Sequence, residues 1–466
     1  MSSLDSPIVV INAVGLTSQW LSYAPNLQKL AQKQGITRLG EVWPAVTCTA
    51  QATLLTGKLP SGHGIVGNGW LFRDTGEVRF WQQSNRLFES EPVYETASKR
   101  AQKRGRKFRT SKIFWWFNQG ANVDFSLTPK PWYGADGNKR FGITGFPVSF
   151  PDEVEKAVGP FPFPSFWGPK AGLPSTDWIA QAAAWHLERD RPDLMFVYLP
   201  HLDYEPQRFG PSGSDMPRLM GELDGCVGIL LKACEKVGAR PWIVSEYGHL
   251  DTPNHCLPNR ELRRVGLLEV RDGPFGEVLD TFLSRAFAVV DHQLAHVYVR
   301  EQKDIPLVRD ILGVLPGVAK VLIGPERETI GLDHPRSGEI ILVAEGDSWF
   351  AYPYWLDDKR APDFARTIDI HRKPGYDPCE LFVNPRIFLP MVRILRKLAA
   401  KKFGFRTLFD IIPLDPSLVR GSHGIACPNP LDQPVWIGSK GLADYSDTPM
   451  TAFRNHLLAG LGLSDE

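Results

Sequence analysis

The sequence lacks several features that would assign it to a specialised class of protein. Its 466 residues contain no apolar run of about 18 residues, the length that a membrane-spanning helix requires. Lysine and arginine total 53 and aspartate and glutamate total 52, so the net charge is +1. A dedicated nucleic-acid-binding protein usually carries a clear basic excess. We therefore expect a small-molecule partner, no nucleic-acid partner and no membrane span.

The cysteines form no recognisable framework. The sequence has six, and no two of them are spaced as CxxC. The first residues, MSSLDSPIVVINAV, carry Asp5 where a secretory signal would carry Lys or Arg, and their apolar part is typical of a strand. These observations predict free thiols and a cytoplasmic location.

Strand and helix patterns alternate along much of the chain. Continuous apolar runs at 8–12, 194–199 and 242–246 predict buried strands of a parallel sheet. Apolar residues at helical spacing predict helices over 25–34, 176–188 and 218–237. The predicted fold class is therefore α/β, a mostly parallel sheet flanked by helices. Residues 71–170, rich in Trp, Phe, Pro and Gly, are expected to form loops and short strands over a cleft.

The pattern changes near residue 286, which divides the chain into three parts. Residues 1–285 are predicted to form the first part of the core, and residues 286–356 a smaller α+β cap insert. Within the insert, 286–300 alternates like one strand and 305–315 like a helix. Residues 357–466 are predicted to return to the core, with a basic amphipathic helix and a late histidine segment.

The stretch EVWPAVTCTAQATLLTG, residues 41–57, carries the first chemical signal. A short apolar run gives way to helical spacing, so Thr47 lies where a helix begins. Backbone N–H groups and the helix dipole hold phosphate at such a position. The Thr47 hydroxyl could then attack phosphorus, or it could simply cap the helix.

Two acidic residues follow predicted strands. Asp203 comes after the strand 194–199 and Glu246 ends the strand 242–246. In parallel sheets, ligands bind at the carboxyl ends of the strands. We therefore expect Thr47, Asp203 and Glu246 to meet at one edge of the sheet.

Four segments together resemble the alkaline phosphatase superfamily, and most closely its type I phosphodiesterase/nucleotide pyrophosphatase branch. The segments are PAVTCTAQATLLTG with PSGHGIVGNGW, PHLDYEPQRFGP, VSEYGH and RGSHG, in that order. The resemblance implies the fold of that superfamily, Thr47 as nucleophile, and one or two divalent metal ions (Zn, Mn or Mg).

The resemblance also implies a ligand set, which this sequence only partly keeps. One ion would bind Asp203 and His423, with Gln207 where a His is usual. The other would bind Thr47 and Glu246, with Tyr247 in place of a His. Two further positions differ: Val14 stands where the first strand delivers an Asp, and Ala50 replaces an Asn.

Other histidines are candidates to refill the first site. Alternation along an extended segment would place His201 on the same face as Asp203, which favours His201 over His249. A structural role is the alternative for each. The remaining candidates share a spacing or position that suits ligands: His292 with His296, and Asp369 with His371.

The leading hypothesis is an enzyme that cleaves or transfers a phosphodiester or pyrophosphate group through Thr47. The alternative is a catalytically retired phosphodiesterase that binds a phosphorylated metabolite, since Val14 and Tyr247 replace metal ligands. A third option is acid/base chemistry by Tyr247.

Overall fold

The computed structural model describes residues 6–135, 139–405, 407–441 and 447–464. Within these ranges the chain forms 21 β-strands and 12 α-helices, numbered in chain order. The strands are β1 (Ile8–Ala13), β2 (Ile36–Gly40), β3 (Gly69–Phe72), β4 (Glu77–Phe80), β5 (Thr110–Ile113), β6 (Phe125–Tyr133), β7 (Lys139–Phe146), β8 (Leu194–Leu199), β9 (Arg240–Val244), β10 (Leu250–Asp251), β11 (Asn254–Cys256), β12 (Val270–Gly273), β13 (Gly276–Leu279), β14 (Ala286–Asp291), β15 (Leu294–Val299), β16 (Val318–Ile323), β17 (Ile340–Ala344), β18 (Ser348–Phe350), β19 (Gly421–Ser422), β20 (Val435–Ile437) and β21 (Thr448–Pro449).

The helices are α1 (Pro25–Gln34), α2 (Thr47–Thr56), α3 (Pro60–His63), α4 (Val93–Lys103), α5 (Phe150–Val158), α6 (Leu173–Asp190), α7 (Glu205–Phe209), α8 (Met216–Val237), α9 (Pro258–Arg264), α10 (Ile305–Gly313), α11 (Pro390–Lys402) and α12 (Phe453–Gly460). Among the helices of the described ranges, none combines the length and the apolar character that crossing a bilayer requires.

A nine-stranded sheet organises the core, in the order β21-β2-β20-β9-β1-β8-β5-β6-β7. The five strands from β9 to β6 run parallel, while β7 and β20 pair antiparallel with their neighbours. The central strand β1 is buried along its whole length, as its continuous apolar sequence predicts. The predicted α/β fold with a mostly parallel sheet flanked by helices is confirmed.

Alternate residues of β1 face two separate hydrophobic clusters. Val9 and Ile11 pack in the cluster that includes residues of α1, α6 and α8. Ile8 and Val10 pack on the opposite face, with residues of α2, α4 and α12. The sheet is therefore covered by helices on both faces, and its strand ends remain available for a site.

A second sheet occupies the region after residue 286. Strands β14-β15-β17-β16 form an antiparallel sheet, whose apolar residues belong to a third cluster. Residues 286–300, predicted as one alternating strand, instead form the hairpin β14–β15. The chain turns at His292, which has a positive φ of 60°. The boundaries 286–356 of a separate cap remain a prediction.

Residues 71–170 contain more regular structure than the sequence predicted. Besides the short hairpin β3–β4, they form α4, α5 and three strands of the main sheet. In α4, Val93, Ala97 and Ala101 recur at four-residue spacing and are buried. The sequence analysis missed this periodicity because the surrounding segment is rich in Trp, Phe and Pro, a composition that is typical of loops.

The start of α1 depends on a side chain almost 200 positions away. Asp224 of α8 accepts hydrogen bonds from the backbone N–H groups of Asn26 and Leu27, at 3.0 and 2.9 Å. Its carboxylate also accepts from the Asn26 side chain at 2.9 Å. The buried carboxylate thus satisfies two free donors at the positive end of α1.

We expect Asp224→Ala to lower the free energy of unfolding by about 1–3 kcal/mol, because the buried N–H group of Leu27 and the partly buried one of Asn26 lose their acceptor. Urea unfolding followed by circular dichroism measures the change. Glu235→Ala, at an exposed position of the same helix, is the matched control and should change it by less than about 0.5 kcal/mol. Equal losses in the two variants would contradict the capping role.

Candidate active site

Thr47 is the first residue of α2, and its hydroxyl contacts the hydroxyl of Tyr247, which follows β9. Val46, with extended backbone, occupies the N-cap position. Thr47 Oγ1 instead makes a hydrogen bond of 2.9 Å with the hydroxyl of Tyr247. Thr47 therefore does not cap α2, which was the alternative role that the sequence allowed.

Tyr247 links Thr47 to Asp203. Its hydroxyl donates to Asp203 Oδ1 at 3.2 Å. Strands β8 and β9 both pair parallel with β1, one on each side of it. The segments that follow these two strands carry Asp203 and Tyr247, so both residues lie at the same edge of the sheet. Burial, together with the nearby charge of Asp203, raises the pKa of Tyr247 well above its usual value, so the phenol stays protonated.

Two histidines complete a cluster around Asp203. His249 Nε2 lies 3.1 Å and His423 Nε2 lies 3.7 Å from Asp203 Oδ1. One ligand atom from each of Asp203, His249 and His423 lies within 4.8 Å of the others. Burial raises the pKa of Asp203, but hydrogen bonding, chiefly from His249, outweighs it and the net shift is downward. The carboxylate is therefore ionised.

His423 is held in the tautomer that a metal ligand needs. Its Nδ1 lies 2.7 Å from the Ala45 carbonyl oxygen, which can only accept, so Nδ1 carries the proton. Burial and the neighbouring His292 lower the pKa of His423 well below its usual value, so the ring is neutral. Its Nε2 thus points a bare lone pair, without a hydrogen-bond partner among the described residues, toward Asp203. Two facing acceptors are stable only with a cation or a proton between them.

Two glycines allow His249 to reach the cluster. Gly15, with φ of +75°, follows β1, and a Cβ there would come within 3.1 Å of the His249 ring. A Cβ on Gly248 would lie 1.8 Å from the Asp432 carbonyl oxygen. Any larger residue at either position would displace the loop that carries His249.

These side chains fit one of the two implied metal ions but not both. Asp203, His249 and His423 offer one oxygen and two nitrogens, and the proton on His423 Nδ1 is bound by a backbone carbonyl, as is usual for metal-ligating histidines. At the second position, Val14 offers no donor atom. The Tyr247 hydroxyl there already joins Thr47 to Asp203. The described residues therefore suit a single ion.

Glu246 lies beside Thr47 but is engaged by amides. Its Oε1 accepts from Gln51 Nε2 at 2.7 Å and from the side-chain amide of Asn12. Burial raises the pKa of Glu246 to about 8, against the effect of these hydrogen bonds. To bind a metal, as the sequence analysis predicts, Glu246 would have to lose its proton and at least one of these amide contacts.

Two residues predicted as ligands, His201 and Gln207, do not belong to the cluster of Asp203, His249 and His423. His201 Nε2 pairs with Glu222 at 2.8 Å, because residues His201–Asp203 form a 3-10 turn rather than an extended segment. The alternation rule therefore does not apply, and His249 takes the place expected for His201. The side-chain oxygen of Gln207 accepts a hydrogen bond from the hydroxyl of Tyr376, which engages one of its two lone pairs.

The remaining histidine candidates have other roles. The His292 ring stacks between Tyr376 and His423, with ring centroids 3.8 and 3.6 Å away. His296 Nε2 bonds to the Val66 carbonyl at 2.9 Å, inside the insert sheet. These packing and backbone contacts give both rings a structural role.

Of the pair Asp369 and His371, Asp369 forms an ion pair with Lys139 at 3.2 Å. Both line the wall of the cavity described next and lie outside the Asp203 cluster.

A cavity of about 700 Å³ opens above this site. Thr47, Asp203 and Tyr247, all nearly buried, form its deep end. Its walls are mainly aromatic and aliphatic: Trp81, Trp116, Phe163, Phe166, Trp167, Tyr376, Met391, Ile394 and Leu398. Its cationic lining residues are Lys130, Lys139 and Lys170. Burial lowers the pKa of His292 and His371, which also line it, so both rings favour the neutral form. The cavity thus joins a polar reactive end to a large apolar space.

The family profile described as type I phosphodiesterase / nucleotide pyrophosphatase matches residues 8–377, which include Thr47, Asp203 and Glu246. The chain belongs to this family. Its structural neighbours are members of the alkaline phosphatase superfamily, as the four sequence segments indicated.

Individual relatives are distant. A protein of Schizosaccharomyces pombe described as an uncharacterized pyrophosphatase/phosphodiesterase is 22% identical over 241 residues, which cover 50% of this chain but only 41% of that protein. The phosphonoacetate hydrolase of Sinorhizobium meliloti, solved with phosphonoacetate, has a TM-score of 0.61 at 14% identity and covers 99% of this chain and 96% of its own. Murine ectonucleotide pyrophosphatase/phosphodiesterase 5 has a TM-score of 0.57 at 15% identity, with 98% and 95% covered. These structures share the family's fold.

We expect one high-affinity Zn²⁺ per chain when protein stripped with a chelator is titrated calorimetrically, because three side chains converge on one position. His249→Ala should weaken binding by about 100-fold or more, since it removes a direct ligand. His201→Ala, at a buried histidine outside the cluster, is the control and should leave the affinity unchanged. Two ions per chain, or an unaffected His249 variant, would contradict the single-ion site.

Proposed function

We propose that this protein hydrolyses or transfers a phosphodiester or pyrophosphate group, with Thr47 as the nucleophile. The observation that carries the proposal is the hydrogen-bonded chain from Thr47 through Tyr247 to Asp203 at the deep end of the cavity. It supplies a nucleophile, a proton path and a pocket in one place.

The proton of Thr47 has a defined route. Since the Tyr247 O–H donates to Asp203, its oxygen is left to accept the proton of Thr47. As Thr47 Oγ1 forms a bond to phosphorus, its proton passes to Tyr247, whose own proton moves toward the Asp203 carboxylate. The bond between phosphorus and the leaving oxygen breaks in the same step. Water or a second alcohol then attacks phosphorus as the bond to Thr47 Oγ1 breaks. Oγ1 regains its proton from Asp203 through Tyr247, and the proton of the attacking O–H goes to the leaving oxygen of the first step.

The start of α2 favours the phosphoryl group electrostatically. A helix N-terminus carries partial positive charge and free N–H donors, and Thr47 lies in the first turn of this ten-residue helix. A single divalent ion bound by Asp203, His249 and His423 would add positive charge beside the phosphoryl oxygens. Two nitrogen ligands and one carboxylate suit Zn²⁺ or Mn²⁺ better than Mg²⁺.

The relatives support a small phosphorus-containing substrate. The murine enzyme was solved with AMP as an inactive threonine-to-alanine variant, and the Sinorhizobium enzyme with phosphonoacetate. The cavity here has room for such a ligand, with its phosphorus at the deep, polar end.

A second candidate function is binding without turnover. It is favoured by Val14 and Tyr247, which remove donors from the second metal position. A retired enzyme would hold a phosphorylated metabolite in the same cavity without using the Thr47 hydroxyl.

We expect Thr47→Ala to abolish hydrolysis of bis(p-nitrophenyl) phosphate in the presence of Zn²⁺ or Mn²⁺, because no other hydroxyl takes its place in the chain to Asp203. Tyr247→Phe should lower kcat by about 10²–10⁴, since it interrupts the proton path. Release of nitrophenolate measures both effects.

The matched control is Thr49→Ala, two positions along the same helix. The Thr49 hydroxyl bonds to the Ile65 carbonyl at 3.3 Å and lies outside the cavity lining. This variant should keep its turnover while losing some stability. If wild-type protein binds AMP calorimetrically but hydrolyses no phosphodiester or pyrophosphate under any metal condition, the binding function replaces the enzymatic one.

A further inference from the structure

Helix α11 lies on the protein with its charged side inward. Arg393 and Lys397, one turn apart, both pair with Asp410 of the protein body, at 2.5 and 2.7 Å. Ile394 packs nearby against a small buried cluster. A surface helix usually does the reverse, burying its apolar stripe and exposing its charges.

The opposite face of α11 is apolar and exposed. Met391, Leu395 and Leu398 recur at the four- and three-residue spacing of one helix face. Leu395 is 59% exposed, and Phe388 and Phe403 at the two ends are 89% and 79% exposed. The exposed apolar side chains of α11 and of the residues that flank it are Phe388, Leu389, Met391, Val392, Leu395, Leu398, Phe403 and Phe405. Such a patch on a surface marks an interaction site.

Basic residues accompany this outer face. The sequence from 385 to 408 contains seven Lys or Arg and no Asp or Glu. Arg393 and Lys397 are held by Asp410, whereas Arg386, Arg396 and Lys402 are exposed. Apolar side chains flanked by cations match an anionic bilayer, which offers negative headgroups above hydrocarbon.

The outer face is continuous with the mouth of the cavity. Met391 and Leu398 belong to both, and the cavity is bordered on another side by Tyr133 and Phe141 of the β6–β7 hairpin. These two aromatic residues are 59% and 51% exposed, and Arg140 beside them is exposed as well. The entrance to the site is therefore surrounded by exposed apolar and basic side chains.

We propose that the outer face of α11 docks on the surface of an anionic lipid bilayer, with the cavity mouth at the interface. The helix would lie in the plane of the membrane, its apolar face below the headgroups and Arg396 and Lys402 among them. Lipid binding at this face does not depend on the catalytic role of Thr47.

Co-sedimentation of the full chain with vesicles tests the proposal. We expect binding to phosphatidylcholine vesicles with about 30% phosphatidylglycerol, little binding to pure phosphatidylcholine, and release at high salt. Leu395→Glu should weaken the partition coefficient at least tenfold, because a leucine no longer enters the apolar layer. The double variant Arg396→Glu with Lys402→Glu should weaken it about 25-fold, from roughly fivefold per basic residue lost.

Val314→Glu is the control, since Val314 is 81% exposed but lies at the end of α10 in the insert. It should bind vesicles as the wild type does, and circular dichroism should show all variants folded. Wild-type protein that stays in the supernatant with anionic vesicles would overturn the proposal. So would a dimer in solution that Leu395→Glu dissociates, because a second copy would then cover the face.

Discussion

The hydrogen bond between Thr47 and Tyr247 is the contact on which the site depends. It joins the start of α2 to the segment after β9, and the bond from Tyr247 to Asp203 extends it to the segment after β8. In the ligand set that the family resemblance implies, a histidine stands at the position of Tyr247. A phenol with a raised pKa cannot readily replace that imidazole, but it can carry a proton between two oxygens.

The same substitution explains why the structure suits one ion. Tyr247 stacks on His423 at 3.6 Å and fixes the plane of a ring whose Nδ1 is bound by Ala45. His249 then supplies the nitrogen that Gln207 does not. Asp203, His249 and His423 together could therefore hold one ion, whereas Val14 leaves the second implied position without a donor.

The surroundings of the site place a cluster of polar side chains at one end of an apolar cavity. Aromatic side chains line the cavity beside the buried Thr47, Asp203 and Tyr247, and hydrogen bonds are stronger in such surroundings of low polarity. The same apolar surface continues over α11 to the outside of the protein. One connected surface therefore runs from Thr47 through the cavity to the exposed outer face of α11.

Much of this protein could be predicted from local sequence. The apolar run of β1 and the helical spacing after Pro44 determined the parallel sheet and the position of Thr47, because burial and helix periodicity are short-range patterns. The choice of His249 over His201 was decided by a 3-10 turn and by two glycines, Gly15 and Gly248, that contribute from separate segments. The inward charges of α11 likewise depend on Asp410, which approaches only in the folded chain. Only the tertiary structure decided these features, because each depends on contacts between residues that are far apart in the sequence and share no periodic pattern.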